Sequence, residues 1–123
     1  MSRSLDDLTP YFRALAVELL ARLVEAGIPV MIIDTLRTPE EQEANIKKGV
    51  SWTKNSRHLP NSVDGKAQAI DICPYEIFRA EGQDKLLWDS SNPLWERIGK
   101  IGEVIGLEWG GRWKVRDYSH FQL

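Results

Sequence analysis

Two helix-period segments, each closed by a glycine and separated by short β-branched runs, restrict this 123-residue chain to a mixed architecture. Thr9-Pro10 can start the first helix, with Thr9 as cap and Pro10 at the first helical position. Phe12, Leu15, Ala16, Leu19, Leu20, Leu23 and Val24 then recur at helical spacing, and Gly27 stops the pattern. Asn92-Pro93 opens another helix carrying Leu94, Trp95, Ile98, Ile101, Val104 and Ile105, and Gly106 closes it. Between them, Pro29 to Asp34 and Ala69 to Cys73 read as strands, and Ser119 to Leu123 makes a terminal one. Thr38-Pro39-Glu40-Glu41 opens a short polar helix through about Lys48, ended by Gly49, with Glu40 and Glu41 suited to the helix dipole. Val50 to Lys66 has loop character, and Pro74 to Asp89 is expected to be a surface excursion with a short helix. There is no regular βαβ repetition, so the expected fold class is α+β, in one small domain.

Charge and composition remove several classes. Sixteen basic against eighteen acidic residues give a net charge of −2, which lacks the basic excess of a nucleic-acid-binding face. No apolar run is long enough to span a bilayer. Met1-Ser2-Arg3-Ser4-Leu5-Asp6-Asp7 carries acids where a secretory signal would have its apolar core, so synthesis in the cytoplasm is expected. Cys73 is the single cysteine, which excludes an internal disulfide and reads as a buried strand residue.

The polar residues that carry chemistry are few. The chain has two histidines, His58 in a polar loop and His120 in the terminal strand. Asp71 lies on the strand that follows His58, and Asp117 precedes His120 by three residues. A lone histidine beside apolar residues is more often structural than a ligand. Two scarce imidazoles with a strand carboxylate match a catalytic zinc site, which takes three protein ligands and keeps one position for water. Alternate residues of a strand share a face, so Asp117 and Ser119 would point away from His120. Asp117 is therefore expected in the turn before the strand, where it can approach the metal as general base.

Ser56-x-His58, Gly65-x-Ala67, Ala69-Ile70-Asp71-Ile72, Glu108-Trp109-Gly110-Gly111-x-Trp113 and Asp117-x-x-His120-Phe121 occur in that order. As a set they resemble the zinc DD-carboxypeptidase/L-alanyl-D-glutamate peptidase family, nearest to small phage endolysins of the L-alanyl-D-glutamate peptidase branch. The likeness extends upstream to Leu36-Arg37-Thr38 and Gln42. It implies a small α+β domain with an antiparallel sheet flanked by helices. Matched position by position, it implies His58, Asp71 and His120 as ligands of one zinc ion and Asp117 as the catalytic acid. Arg37 matches an arginine that contacts substrate and stabilises the polarised carbonyl. Ser56 and Gln42 match residues near the site, and Trp113 could pack against it or line a substrate groove. Twelve residues separate His58 from Asp71 where the family usually has six, which points to an insertion around Leu59 to Asp64. Asp64 is the rival third ligand; Asp71 is favoured because a strand fixes a carboxylate more rigidly than a loop does.

The expected activity is hydrolysis of the L-alanyl-D-glutamate bond in the stem peptides of bacterial peptidoglycan. A D-alanyl-D-alanine carboxypeptidase or dipeptidase is the alternative within the enzyme class. Outside it stand a wall-binding module with a structural zinc ion and a non-catalytic relative. Asp117 argues against the module, because a closed structural site has no use for a base. The expected partner is peptidoglycan alone, with no nucleic acid and no membrane insertion, and the chain is expected to be a monomer. Residues 1–123 are expected to form one catalytic domain with no separate wall-binding domain. Without a signal peptide, reaching the wall would require a membrane pore or lysis, as in holin-assisted phage enzymes.

Overall fold

The computed structural model describes residues 2–49, 56–76 and 85–123. Helix α1 spans Pro10–Glu25 and turns Phe12, Ala16, Leu19 and Leu23 inward. Those four positions follow the helical repeat, whereas Val24, expected on the same stripe, is 77% exposed because it falls beyond its edge. Strand β1, Val30–Asp34, leads through a short connection to helix α2, Pro39–Lys47. Thr38 caps α2 with a reciprocal pair of bonds to Glu41, so two otherwise orphaned backbone donors are satisfied.

Strand β2 runs from Ala69 to Glu76, longer than the Ala69 to Cys73 expected. It continues through Pro74, and strand β3, Lys85–Leu86, pairs with its far end at Tyr75 and Glu76. Within the surface excursion expected from Pro74 to Asp89, residues 74–76 and Lys85–Leu86 are strand instead; the remaining part at residues 77–84, where a short helix could fall, lies outside the described residues. Residues 50–55 of the expected loop also lie outside them. Helix α3, Leu94–Ile105, follows, and Gly106 ends it in the left-handed conformation. Strand β4, Glu108–Trp109, a single helical turn at Gly110–Arg112, and strand β5, His120–Gln122, complete the chain.

The strands form one antiparallel sheet in the order β1-β2-β5-β4, with β3 added at β2. Phe12, Leu19, Leu23, Ile70, Ile72, Trp95, Ile98, Trp109 and Phe121 join the helices to the sheet in one core. Helix α3 sits very close to the sheet because Gly99 and Gly102 face it. A Cβ on Gly99 would lie 2.3 Å from the Trp109 ring, and one on Gly102 would lie 2.4 Å from the Phe121 ring. Trp109 and Phe121 are themselves cross-strand partners in β4 and β5. This packing fixes the strand that carries His120. Cys73 is fully buried, as expected, and burial pushes its thiol up to about 11, so it is an inert core group.

Candidate metal centre

Sheet register assembles the site. Asp71 in β2 lies opposite His120 in β5, and Asp34 in β1 lies opposite Asp71. The β1 ladder runs in step from Val30 to Ile32, then slips by one residue so that Asp34 replaces Ile33 as the partner of Asp71. A bulge of this kind re-aims the side chain that follows it. Asp34 thereby joins the rung of Asp71 and His120, three polar residues across three strands.

His58 reaches the same point from a loop. Ser56 Oγ accepts the His58 backbone N–H, and the amide of Arg37 donates to the His58 carbonyl at 2.8 Å. His58 Nδ1 donates to the Thr35 carbonyl at 2.6 Å. The neutral ring then carries its lone pair on Nε2, which is buried, has no hydrogen-bond partner, and lies 3.1 Å from Asp71 Oδ1. His120 Nδ1 lies 3.1 Å from the same oxygen. Among the described residues, the ligand atoms of His58, Asp71 and His120 all fall within 4.8 Å of one another. A lone pair aimed at a carboxylate oxygen is repulsive unless a proton or a cation lies between them. The donor set, two imidazoles and a carboxylate, fits a metal ion on that ground.

Arg37 borders the set and is nearly buried. Its guanidinium donates to Asp34 and to Gln42 Oε1, and one terminal nitrogen lies 3.5 Å from Asp71 Oδ2. Gln42 is only 2% exposed. Asp34 is equally buried, and its second oxygen, Oδ1, has no hydrogen-bond partner. Burial pushes the Asp34 carboxyl above the usual carboxylate range, opposed by His58 and Arg37. Burial works the same way on Asp71, but His58 and His120 outweigh it and hold that carboxyl well below the range.

Asp117 begins the turn that delivers His120, whose backbone N–H donates to the Asp117 carbonyl at 3.3 Å. The turn packs onto Gly110, where a Cβ would lie 2.5 Å from that same carbonyl oxygen. The residue is open to solvent on one side, and Ser119 Oγ donates to its Oδ1 at 3.4 Å. Partial burial raises the Asp117 carboxyl above its ordinary value, and the charge of Asp71 adds to the effect. Asp64, the rival ligand, is elsewhere: its carboxylate accepts from Asn61 and from the Lys66 amide, closing the exposed turn that accounts for the extra residues. Trp113 leans against His120 with ring centroids 5.0 Å apart and donates to Glu108.

Asp34, Gln122 and the Thr35 carbonyl carry no motif of their own in the sequence, and Glu108 enters only as the first residue of the Glu-Trp-Gly-Gly run, without a role. A carboxylate closing an apolar strand three residues before Arg37, and a polar side chain two residues after His120 on the same strand face, were the available signals.

This antiparallel α+β frame with a histidine–aspartate–histidine centre defines a metallopeptidase class. Residues 51–123, more than half of the chain, match the M15 peptidase family model described as D-alanyl-D-alanine carboxypeptidase, and the chain belongs to that family. It is 31% identical over 130 residues to the L-alanyl-D-glutamate peptidase of Listeria phage A118, covering 99% of this chain and 41% of the relative. It is 28% identical over 131 residues to the peptidoglycan L-alanyl-D-glutamate endopeptidase CwlK of Bacillus subtilis (strain 168), covering 96% of this chain and 74% of CwlK. The crystal structure of the Serratia marcescens L-Ala D-Glu endopeptidase ChiX superposes with a TM-score of 0.70 at 26% identity, over 99% of this chain and 86% of ChiX. The chain thus spans less than half the length of the phage relative.

Proposed function

We propose that this chain is a zinc peptidase that hydrolyses the L-alanyl-D-glutamate bond of peptidoglycan stem peptides. The convergence of His58 Nε2, Asp71 Oδ1 and His120 Nδ1 carries the reading. These three atoms would hold the ion. When bound, zinc supplies Lewis acidity to the scissile carbonyl and to water. Asp117 takes the proton from the attacking water and delivers it to the leaving amine, a role that suits a carboxyl raised above its ordinary value. Arg37, tied between Asp34, Gln42 and Asp71, keeps Asp71 oriented and sets a fixed positive charge beside the ligand set, where its field acts on the polarised carbonyl without capturing a carboxylate. Ser56 shapes the turn that presents His58, and Gln42 holds Arg37.

A carboxypeptidase acting on D-alanyl-D-alanine is the second reading, favoured by the description of the family model. Such an enzyme needs a cation to capture the terminal carboxylate. All three guanidinium nitrogens of Arg37 already face protein oxygens, which favours the endopeptidase. A role in phage lysis is part of this reading, with access to the wall through a membrane pore, and the phage origin of one relative fits the lysis role. Residues 1–123 would act as one catalytic unit and as a monomer.

Mass spectrometry of digested peptidoglycan tests the bond. Stem peptides beginning with D-glutamate should appear, with L-alanine left on the muramyl lactyl group. Free D-alanine with every L-alanyl-D-glutamate link intact would establish the carboxypeptidase instead. In the same digest Asp117→Asn should keep its zinc and its fold while losing about 100- to 10,000-fold in rate. Near-normal turnover in that variant would remove Asp117 as the base.

A further inference from the structure

Glu108 and Gln122 lie outside the ligand set, yet two hydrogen bonds link them to it. They are cross-strand partners in the β4–β5 pair. His120 Nε2 lies 2.9 Å from Gln122 Oε1, and the Gln122 amino group donates to Glu108 Oε2 at 3.1 Å. Trp113 Nε1 donates to the same Glu108 oxygen at 2.9 Å.

The chemistry of each partner dictates the direction of the whole chain. A carboxylate only accepts, so Glu108 requires Gln122 to turn its amino group toward β4. The Gln122 oxygen then faces His120, which must carry a proton on Nε2 to meet it. That leaves Nδ1, beside Asp71 Oδ1, as the nitrogen free to ligate. Trp113, a donor only, steadies the Glu108 carboxylate in its accepting position. His58 solves the same problem with one backbone carbonyl, that of Thr35, which cannot be reversed. A glutamine amide can be reversed, and Glu108 is what prevents it.

We propose that Gln122 and Glu108 are positioning residues that hold His120 with Nε2–H donated to β5 and Nδ1 presented to the metal, and so set the metal affinity of the site. This rests on the metal-binding reading above. Partners of this kind typically contribute about 10- to 100-fold in affinity.

The test uses Zn²⁺ alone, with affinity read by competition with a chelator. The second readout is the exchange protection of the His120 Nε2–H proton by NMR of the zinc-loaded chain. Gln122→Met, similar in shape but a poor acceptor, should bind zinc about 10- to 100-fold more weakly and lose the protected proton. Glu108→Gln should fall between it and wild type, because the Gln122 amide is then free to turn. The exchanged pair Glu108→Gln/Gln122→Glu restores the donor–acceptor order from residue 108 to His120 and gives up only the Trp113 bond, because both wild-type bonds end on Glu108 Oε2. The new amide donates to the new carboxylate, which accepts from His120, so affinity and protection should recover above those of Glu108→Gln. Wild-type zinc binding with Gln122→Met within twofold of it, or with the exchanged pair no tighter than Glu108→Gln, would overturn the relay alone. If Gln122→Met does not fold, Glu108→Gln and the exchanged pair decide. Failure of the wild-type chain to bind zinc would overturn the metal reading, and the relay with it.

Discussion

His120 shows how one residue's surroundings can be read as a stability curve. Burial alone would lower its pKa, but the hydrogen bond and charge of Asp71, with Gln122 and Asp117 adding, raise it above the ordinary value of 6.5. Asp71 stays ionised through neutral pH, because the two histidines hold it far below the carboxylate range. In the metal-free chain the proton on His120 is therefore bound more tightly folded than unfolded. Its stabilisation is complete below pH 6.5 and is lost as pH rises through the raised folded value. Melting of chelator-treated protein should show the melting temperature falling across that window, and His120→Gln should remove the slope. A wild-type melting temperature that climbs there would contradict the assignment. The grouping of His58, His120 and Asp71 was legible in the sequence because histidine is scarce and Asp71 interrupts an apolar strand. Asp34, Glu108 and Gln122 were not, because their roles come from which strand lies beside which.

At the scale of elements, α3 and the β4–β5 pair behave as one unit. Gly102 leaves room for the Phe121 ring, and Phe121 is the neighbour of His120. Gly102→Val must push the helix and that strand apart, so it should cost about 1–3 kcal/mol in unfolding free energy, as overpacked cores typically do. Denaturant melts measure it, and an unchanged midpoint would mean that the helix is not seated as described. The helices were legible because their stripes, starts and stops are local: the Thr38-Pro39 start of α2 and the stop at Gly106 sit where the sequence places them, whereas Glu41, read as a helix-dipole acid, also closes a capping box with Thr38. The bulge at Ile33 was not. Counting by twos through Val30, Ile32 and Asp34 puts Asp34 on the face of Ile32, and only the slip against β2 brings it to Asp71. The length of β2 was missed for a related reason. Pro74 reads as a strand stop, yet the chain pairs on past it through Tyr75 and Glu76 with β3.

Across the whole molecule, the site draws on segments spread over most of the chain: Asp34 and Arg37 near one end, His58 in a loop, Asp71 in the central strand, Asp117 and His120 near the other end. No one of these segments can hold an ion by itself, and the sheet order β1-β2-β5 is what unites them. Order along the sequence made the family resemblance legible, whereas the tie between Arg37 and both carboxylates needed the fold. The central claim is that His58, Asp71 and His120 form one metal centre. Elemental analysis of the purified chain and its variants tests it most directly. One zinc per chain is expected in wild type and in Asp64→Ala, with zinc lost from His58→Ala, Asp71→Ala and His120→Ala. Full zinc in those three variants, or loss of zinc from Asp64→Ala alone, would contradict it.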